Sequence, residues 1–573
     1  MRSARLSRPL LCAISATVLA GACGSSSQPA AGPATVPPQP TTAAAPNPSA
    51  VHPGGKLAYG ADQEPTGLNL NTSKDGGSAT VNVMDRVWPV FFHISPDFKV
   101  LWDRDLLVDE PRVTSQNPQT VVFHINPKAI WSDGVPINVD DFVYFWQTQR
   151  DPAHTKDVDG KPIDVSTDGT GYRNITSITG SPDGKTVTVV FGTPFGDWRS
   201  LWSGIVPAHI AKRVGWNDGF DTFKPDLVVS GGPYMISGWN HGTDLTLVRN
   251  PKYWGKPASL DQILFRFLTD SAVQEPALAN GEISMIYPQP QTDLVDQVSK
   301  LNHVTSELNF GLQFEHLDFN QRSPFLADPV VRKAIALALD RKALIAATVG
   351  QFSSKATALN NRMFVTNQPE YKDNSGGLYN HPDVAAAKAT LEADGFVLGG
   401  DGVYVKNGKK LELRISTTSG NKLRESAEQV IQDQLLHAGF RITVVNWPST
   451  ELFGHRLPHG DFDLAIFAWV TTPFPSANDP LYSTTGGANW NGTHNPAVDA
   501  ALSSGSNEVD RTKQIDDYNQ ADTLLWQDMT TLPLFQKPTY IAYRDSFANI
   551  HDNASAEGPF WNAETWGTKA AAP

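Results

Sequence analysis

The residue types that could perform catalysis are present in this chain, but not at the spacings that catalysis requires. The sequence contains no His-Glu-x-x-His, no Gly-x-Ser-x-Gly, no P-loop and no cluster of cysteine and histidine. The paired carboxylates Asp140 and Asp141 stand at the start of a predicted helix, where acidic side chains favour the helix dipole. We therefore interpret them as capping residues, and we expect no enzyme, no catalytic residue, no metal site and no cofactor.

The only two cysteines of the chain, Cys12 and Cys23, lie near its start. A basic region with three arginines precedes an apolar stretch at 9–22, which is too short for a permanent membrane span. This arrangement is typical of a secretory signal peptide. Cys12 would leave with the signal, so no thiol would remain for a disulfide, a zinc site or a nucleophile.

Small residues lead into Cys23, as in the lipobox of bacterial lipoproteins, whose cysteine is acylated and becomes the first mature residue. A leucine usually stands three residues before that cysteine, and Ala20 holds the place here. The alternative is an ordinary signal peptide with an incidental cysteine. We predict a signal peptide over 1–22, acylation of Cys23 by chains such as palmitate, and an uncharged Pro/Ala/Ser/Thr-rich tether that ends at 55.

Composition excludes several kinds of partner. The formal net charge of −13 would become −16 once the three signal arginines are removed, which argues against nucleic acid and against direct adhesion to anionic lipid. We expect membrane contact through the lipid anchor only, at the extracytoplasmic face of the plasma membrane. The body beyond residue 55 is long enough for more than one lobe, and we expect a monomer.

Hydrophobic patterning predicts an α/β fold. Asp328 and Pro329 read as the cap and first residue of a helix. A predicted helix at 422–438 lies between two predicted strands, which together form a βαβ unit. The predicted strands are 121–125, 186–191, 245–248, 263–267, 411–416 and 442–445.

Six segments in order along the chain resemble family 5 of the extracellular solute-binding proteins, which serves peptide, nickel and related importers. These segments include the runs Trp131-Ser132-Asp133-Gly134 and Gly231-Gly232-Pro233-Tyr234. Most of these residues shape turns and helix starts, so they indicate the fold more strongly than the ligand; Asp133-Gly134 is interpreted as a turn. The segments are 60–69, 120–143, 230–234, 249–254, 279–283 and 319–341.

The resemblance implies a two-lobed periplasmic-binding-protein clamshell of type II, in the large cluster with an extra inserted subdomain. Lobe I would comprise 56–92, 224–310 and 530–573, the inserted subdomain 93–223, and lobe II 311–529. A ligand would bind between the lobes and favour the closed state, which an ABC permease would recognise.

The resemblance also implies the ligand contacts. In peptide-binding members a strand end in lobe II pairs with an extended peptide, and an aspartate three residues after a tryptophan pairs with the peptide's amino terminus. Trp469 is present, but Thr472 replaces that aspartate; Asp479 is the alternative if the loop between them folds back. The expected contacts are Glu64, Pro65 and Thr66 in lobe I, and Ala468, Trp469, Val470, Thr471, Thr472, Asn489, Trp490 and Gln536.

Two functions remain open. The first is an extracytoplasmic substrate-binding lipoprotein of an ABC importer that delivers peptides, peptide-like solutes or another small molecule to its permease for transmembrane transport. The second is a lipoprotein of the same fold without a transporter, acting in cell-envelope glycolipid assembly of the phosphatidylinositol-mannoside type or in its regulation. For Trp469 and Trp490, the alternative to contacting the ligand is packing in the core.

Overall fold

The computed structural model of the chain describes residues 51–166 and 169–569. The predicted signal peptide, Cys23 and nearly all of the predicted tether lie outside the described residues. Within the described ranges no helix is both long enough and apolar enough to cross a membrane.

Twenty-one strands and fourteen helices lie within these described ranges. The strands are β1 (Lys56–Ala61), β2 (Phe92–Ile94), β3 (Val100–Trp102), β4 (Arg112–Gln116), β5 (Gln119–His124), β6 (Ile175–Gly180), β7 (Thr186–Phe191), β8 (Tyr234–Asn240), β9 (Asp244–Arg249), β10 (Gln262–Phe267), β11 (Met285–Ile286), β12 (Val304–Phe319), β13 (Val397–Leu398), β14 (Tyr404–Lys406), β15 (Lys409–Lys410), β16 (Glu412–Ser416), β17 (Arg441–Val444), β18 (Leu464–Val470), β19 (Thr531–Arg544), β20 (Phe547–Ala548) and β21 (Gly567–Thr568). The helices are α1 (Ser78–Met84), α2 (Val139–Arg150), α3 (Ala208–Val214), α4 (Gln274–Ala279), α5 (Thr292–Ser299), α6 (Pro329–Ala338), α7 (Arg341–Ala347), α8 (Val384–Ala393), α9 (Lys422–His437), α10 (Ser449–Glu451), α11 (Leu457–His459), α12 (Asp479–Tyr482), α13 (Pro496–Asn507) and α14 (Arg511–Asp528).

A ten-stranded sheet joins the two lobes, in the order β17-β16-β18-β12-β19-β11-β1-β10-β9-β8. Its two longest strands, β12 and β19, pair antiparallel from Val304 opposite Arg544 to Asp318 opposite Thr531. The register shifts between Phe310 and Phe314, so the ladder is broken where the strands pass from one lobe to the other. The chain therefore crosses between the lobes on two adjacent strands of one sheet.

Each lobe has its own apolar core. One large cluster draws on residues between 57 and 285 together with 541–566, and the other draws on 317–535. A separate four-stranded sheet, β4-β5-β7-β6, packs with α2 against the first core. These two cores confirm the predicted α/β clamshell, whereas the residue limits given above for lobes and subdomain stay predictions.

Local sequence signals match the observed elements. Asp328 caps α6 by accepting a hydrogen bond from Val330 N, and Asn421 caps α9 by accepting one from Arg424 N. Strand β16 precedes α9 in the chain and β17 follows it. The two strands pair parallel, as the predicted βαβ unit requires. Asp141 completes a capping box with Asn138 at the start of α2, so its predicted capping role is confirmed.

The predicted turn at Asp133 and Gly134 is also confirmed. Gly134 has a φ of 101°, which favours glycine, and its N–H donates to Trp131 O at 2.8 Å. Turns of this kind position the strands and helices of lobe I without contacting the cleft.

Candidate ligand-binding cleft

Two adjoining cavities lie between the lobes. The hinge cavity, of about 480 Å³, is bordered by Tyr59 and Asp62 of lobe I, Arg424 of lobe II, and Lys537 of β19. The subdomain cavity, of about 560 Å³, is bordered by aromatic residues of the inserted subdomain and by Trp469, Phe474 and Leu481 of lobe II. The two cavities share the lining residues Val81, Val470 and Ala556, so they lie side by side, and we refer to them together as the cleft.

The end of β18 presents an open backbone edge to this cleft. Thr471 N donates to Leu312 O of the neighbouring strand at 2.7 Å. Because only every second residue of an antiparallel strand bonds to a given neighbour, Ala468 and Val470 direct their N–H and C=O groups to the opposite edge. On that edge β16 pairs only with Leu464 and Ala465, and no described strand pairs with the residues that follow.

Trp469 lies between the cleft and an aromatic cluster. Its ring stacks on His316 with centroids 5.8 Å apart, meets Phe467 edge-on at 5.1 Å, and lies 5.2 Å from Trp490. It also borders the subdomain cavity, whereas Trp490 borders neither cavity. The two proposed roles of Trp469, cleft lining and packing, therefore occur together.

Thr472 borders the subdomain cavity, but its hydroxyl is already used locally. Its Oγ1 donates to Phe474 O at 3.2 Å and accepts from Phe474 N at 3.1 Å. Asp479 lies outside the lining of both cavities, and its carboxylate accepts hydrogen bonds from Ser506 and from Tyr518 OH. Neither residue supplies a carboxylate to the cleft in this conformation.

The three expected contacts in lobe I border neither cavity. The Glu64 carboxylate accepts a hydrogen bond from Trp239 Nε1 at 2.9 Å and another from Gly242 N at 3.0 Å. Pro65 is buried, and Thr66 donates to Lys74 O at 2.9 Å. The cleft edge of lobe I is formed instead by their neighbours Asp62 and Gln63.

Of the remaining expected contacts, only Ala468 and Val470 lie on the lining together with Trp469 and Thr472. Thr471 is buried against Leu312. Asn489 donates to Ser483 O and Thr493 O in its own loop. The buried Gln536 donates to Gly311 O at 2.7 Å, so it ties the two crossing strands together. Ligand contact by these three residues stays a prediction.

The sequence reasoning missed a charged group at the base of the hinge cavity. Arg424 Nε and Nη2 bind the Glu315 carboxylate at 3.0–3.2 Å, and Lys537 Nζ lies 3.7 Å from the same carboxylate. All three side chains are more than nine-tenths buried. Lys537 is the single charged residue between positions 531 and 543, and a lone lysine in such a run indicates a buried charge.

Burial and the neighbouring charges together set the ionisation of this group. It lowers the pKa of Lys537 to about 8, although Glu315 opposes the change. Burial also opposes ionisation of Glu315, but Arg424 and Lys537 outweigh it and hold the pKa of that carboxyl below its usual range. Asp62, on the far side of the cavity, has its pKa raised by burial. The folded protein therefore holds Lys537 in an environment that disfavours its charge.

Lys537→Met is expected to stabilise the ligand-free protein by about 1 to 3 kcal/mol below pH 8. The lysine pKa is lower in the folded state, about 8 against an ordinary 10.5, so protonation favours the unfolded chain. The gain is therefore complete below pH 8 and disappears as the pH rises to 10.5. Urea unfolding near the two ends of this window, with the exposed Lys422→Met as the control, measures it; a loss of stability at neutral pH would contradict the expectation.

Carboxylates also border the subdomain cavity. Asp85 accepts hydrogen bonds from Arg86 at 2.9 and 3.1 Å, and Glu557 Oε2 lies 3.6 Å from His93 Nδ1. Burial and Arg86 disfavour the charged imidazole, but Asp103 and Glu557 outweigh them and raise the pKa of His93 to about 10. Asp85 and Glu557 are the two acidic residues of the cavity lining.

A buried carboxylate of the inserted subdomain binds residues of lobe II beside the cleft. Asp197 accepts hydrogen bonds from Ser476 N at 2.9 Å and from Gln514 Nε2 at 3.1 Å, and Arg511 Nη1 lies 3.6 Å away. Beside it, Gly196 N donates to Ser506 O at 3.0 Å. We call this set the subdomain contact; it joins the inserted subdomain directly to lobe II.

No group of three or more histidine, cysteine or acidic residues within 51–166 and 169–569 is arranged to hold a metal ion. The cleft instead combines an open strand edge, aromatic surface, and charges of both signs. Such an arrangement is suited to a solute that carries backbone-like polar groups and charged groups.

The two cores and the cleft between them define a two-lobed solute-binding protein. The sequence pattern of the bacterial extracellular solute-binding proteins, family 5 Middle, matches residues 105–492, and the chain belongs to this family. The family predicted from the sequence is thereby confirmed.

Two curated relatives and one solved structure are similar over most of the chain. The oligopeptide-binding protein OppA of Mycobacterium tuberculosis is 29% identical over 513 residues, which are 88% of this chain and 83% of that protein. The probable monoacyl phosphatidylinositol tetramannoside-binding protein LpqW of the same organism is 26% identical, covering 72% of this chain and 68% of that protein. The structure of the periplasmic EDTA-binding protein EppA has a TM-score of 0.85 at 29% identity, covering 91% of this chain and 98% of that chain.

Proposed function

We propose that this protein captures peptides or peptide-like solutes in the interlobe cleft and presents them to an ABC permease. The observation that carries the proposal is the open edge of β18, where Ala468 and Val470 direct backbone donors and acceptors into the cleft. An extended peptide can add to such an edge as a further strand, with its side chains directed alternately into the two cavities. The name of the relative OppA agrees with this ligand class.

Presentation to a permease would depend on closure of the cleft. The subdomain contact joins the inserted subdomain to lobe II, so a ligand that touches both lobes would favour the same closed state. A permease that recognises this state would distinguish the loaded protein from the empty one. We further propose that acylated Cys23 and the tether hold the protein, as a monomer, at the extracytoplasmic face of the membrane.

Isothermal titration of the soluble body, residues 51–569, with short peptides of mixed sequence tests the proposal. We expect saturable binding of peptides and no binding of the free amino-acid mixture. Peptides that leave the protein unbound, while another solute binds, would contradict it.

Trp469→Ala is expected to weaken peptide binding by roughly tenfold or more, because Trp469 borders the cavity beside the open edge. It should also lower the free energy of unfolding by about 1 to 3 kcal/mol, because the ring also packs in the aromatic cluster. Trp490→Ala is the matched control, since Trp490 shares the cluster without bordering either cavity. Titration and urea unfolding of both variants separate the two effects; equal losses of affinity would contradict the assignment of Trp469.

Two other ligand classes have specific support. EppA is named for binding EDTA, a polycarboxylate chelator, and the hinge cavity of this chain contains Arg424 and Lys537. LpqW is named for a mannosylated phosphatidylinositol, and the absence of a carboxylate at Thr472 removes the expected partner of a peptide's amino terminus. The titration therefore also includes ferric EDTA and a mannosylated phosphatidylinositol. Binding of either one in place of peptides would assign the protein to that ligand class.

A further inference from the structure

Two exposed histidines stand one helical turn apart on the surface of lobe II. His455 and His459 lie in a continuous helical segment that comprises α10, a π-helical turn over Leu452–Arg456, and α11. Their rings are stacked, with centroids 4.9 Å apart and planes inclined by 21°. Residues four positions apart share one face of a helix, so the two imidazoles lie side by side towards the solvent.

The hydrogen bonding of His459 leaves its other nitrogen available to a metal ion. Nδ1 of His459 lies 2.7 Å from the backbone oxygen of His455, and it must donate because a carbonyl oxygen can only accept. In the neutral ring the proton is then on Nδ1, and Nε2 carries a lone pair. A hydrogen bond from the second nitrogen to a backbone carbonyl is a common support of a metal-binding histidine.

The adjacent cation, Arg456, is balanced by two carboxylates. Its Nε donates to Glu451 at 2.8 Å, its Nη1 donates to Asp461, and its guanidinium lies 4.0 Å from the ring centroid of Trp447. Successive residues point to different sides of a helix, so Arg456 does not share the face of the two histidines. A metal ion can therefore approach the imidazoles without meeting an unpaired arginine.

The two histidines lie outside the cleft. Ser449 and Phe453 of the same segment border the hinge cavity, whereas His455 and His459 do not. A step of two residues turns by about 200° around a helix, so the histidines occupy the face directed away from the cavity. A metal ion on this face would not compete with a ligand in the cleft.

We propose that His455 and His459 form a surface site for a divalent transition-metal ion such as Zn²⁺. The two imidazoles supply the protein ligands, and water completes the coordination. Imidazole nitrogen is a preferred ligand of Zn²⁺, Ni²⁺ and Cu²⁺, whereas Mg²⁺ and Ca²⁺ prefer oxygen ligands. The site is independent of the peptide-binding function proposed above.

Isothermal titration of residues 51–569 with Zn²⁺ tests the site. We expect saturable Zn²⁺ binding by the wild type and tighter binding of Cu²⁺, since affinity rises to Cu²⁺ along this series. His455→Gln and His459→Gln should each weaken Zn²⁺ binding by at least about tenfold, because each leaves a single imidazole. His437→Gln is the matched control and should bind Zn²⁺ as the wild type does. This 70% exposed histidine forms the same Nδ1 bond to the carbonyl four residues earlier, where the side chain is Asp433 instead of a second imidazole.

Several results would overturn the site. The wild type could fail to bind Zn²⁺, or both glutamine variants could bind it as the wild type does. Equal binding of Mg²⁺ would show attraction to the acidic surface instead of to the imidazoles. Urea unfolding of His455→Gln and His459→Gln should match that of the wild type, since both side chains are exposed, so unfolding would not account for a loss of binding. Peptide affinity should be unchanged by saturating Zn²⁺, and a tenfold change would contradict the separation of the two sites.

Discussion

Replacing Asp522 by alanine is expected to lower the free energy of unfolding by about 3 to 5 kcal/mol. Asp522 and Arg362 form an ion pair at 2.9 Å in which both side chains are 0% exposed. Asp522 also accepts a hydrogen bond from Arg362 N at 3.1 Å and one from Asn374 at 2.9 Å. Its removal leaves the arginine charge buried without a counterion, which costs far more than the pair contributes.

Arg362 also donates to Thr531 O at the start of β19, so the buried pair supports one of the two strands that join the lobes. Urea unfolding measures the loss, and Asp516→Ala is the matched control, since Asp516 lies on the same helix in a largely exposed pair with Lys372. We expect the control to change stability by less than about 0.5 kcal/mol. A loss below about 1 kcal/mol in Asp522→Ala would show that the buried pair is not essential to lobe II.

Asp197→Ala is expected to reduce ligand affinity by about 10- to 100-fold while each lobe stays folded. The carboxylate of Asp197 is 3% exposed and holds Ser476 and Gln514 of lobe II. Burial raises the pKa of Asp197, although Ser476 and Arg511 favour its ionised form. Because these bonds join the inserted subdomain to lobe II, we expect their loss to favour separation of the lobes.

Titration measures this affinity, and small-angle scattering of the loaded protein measures closure. Asp109→Ala is the control, because Asp109 belongs to the same subdomain but forms an exposed pair with His124. We expect Asp109→Ala to bind as the wild type does. Unchanged affinity and unchanged dimensions in Asp197→Ala would show that the subdomain contact does not govern closure.

Local signals in the sequence were sufficient for individual elements and for the family. The cap at Asp328 and the turn at Gly134 depend on residues a few positions apart, and the βαβ unit around α9 depends on the hydrophobic pattern of one continuous segment. They were predictable because capping and turn formation are local. The paired strands β12 and β19 were not, because their pairing joins residues more than two hundred positions apart.

The cleft was only partly predictable for the same reason. The resemblance implied that a strand end of lobe II reaches the cleft, and the end of β18 with Ala468, Trp469 and Val470 borders it. Glu315 and Arg424 are 109 positions apart, so only the fold reveals that they meet at Lys537. Glu64 was expected at the cleft edge, but its carboxylate binds Trp239 and Gly242 instead.

The proposed role of the cleft is to hold a peptide for delivery to a permease. Native mass spectrometry of residues 51–569, expressed in and purified from the protein's own host, tests this role because a retained ligand appears as an added mass. We expect a series of complexes whose mass increments match short peptides. A mannosylated lipid, or a metal chelate in place of peptides, would contradict it.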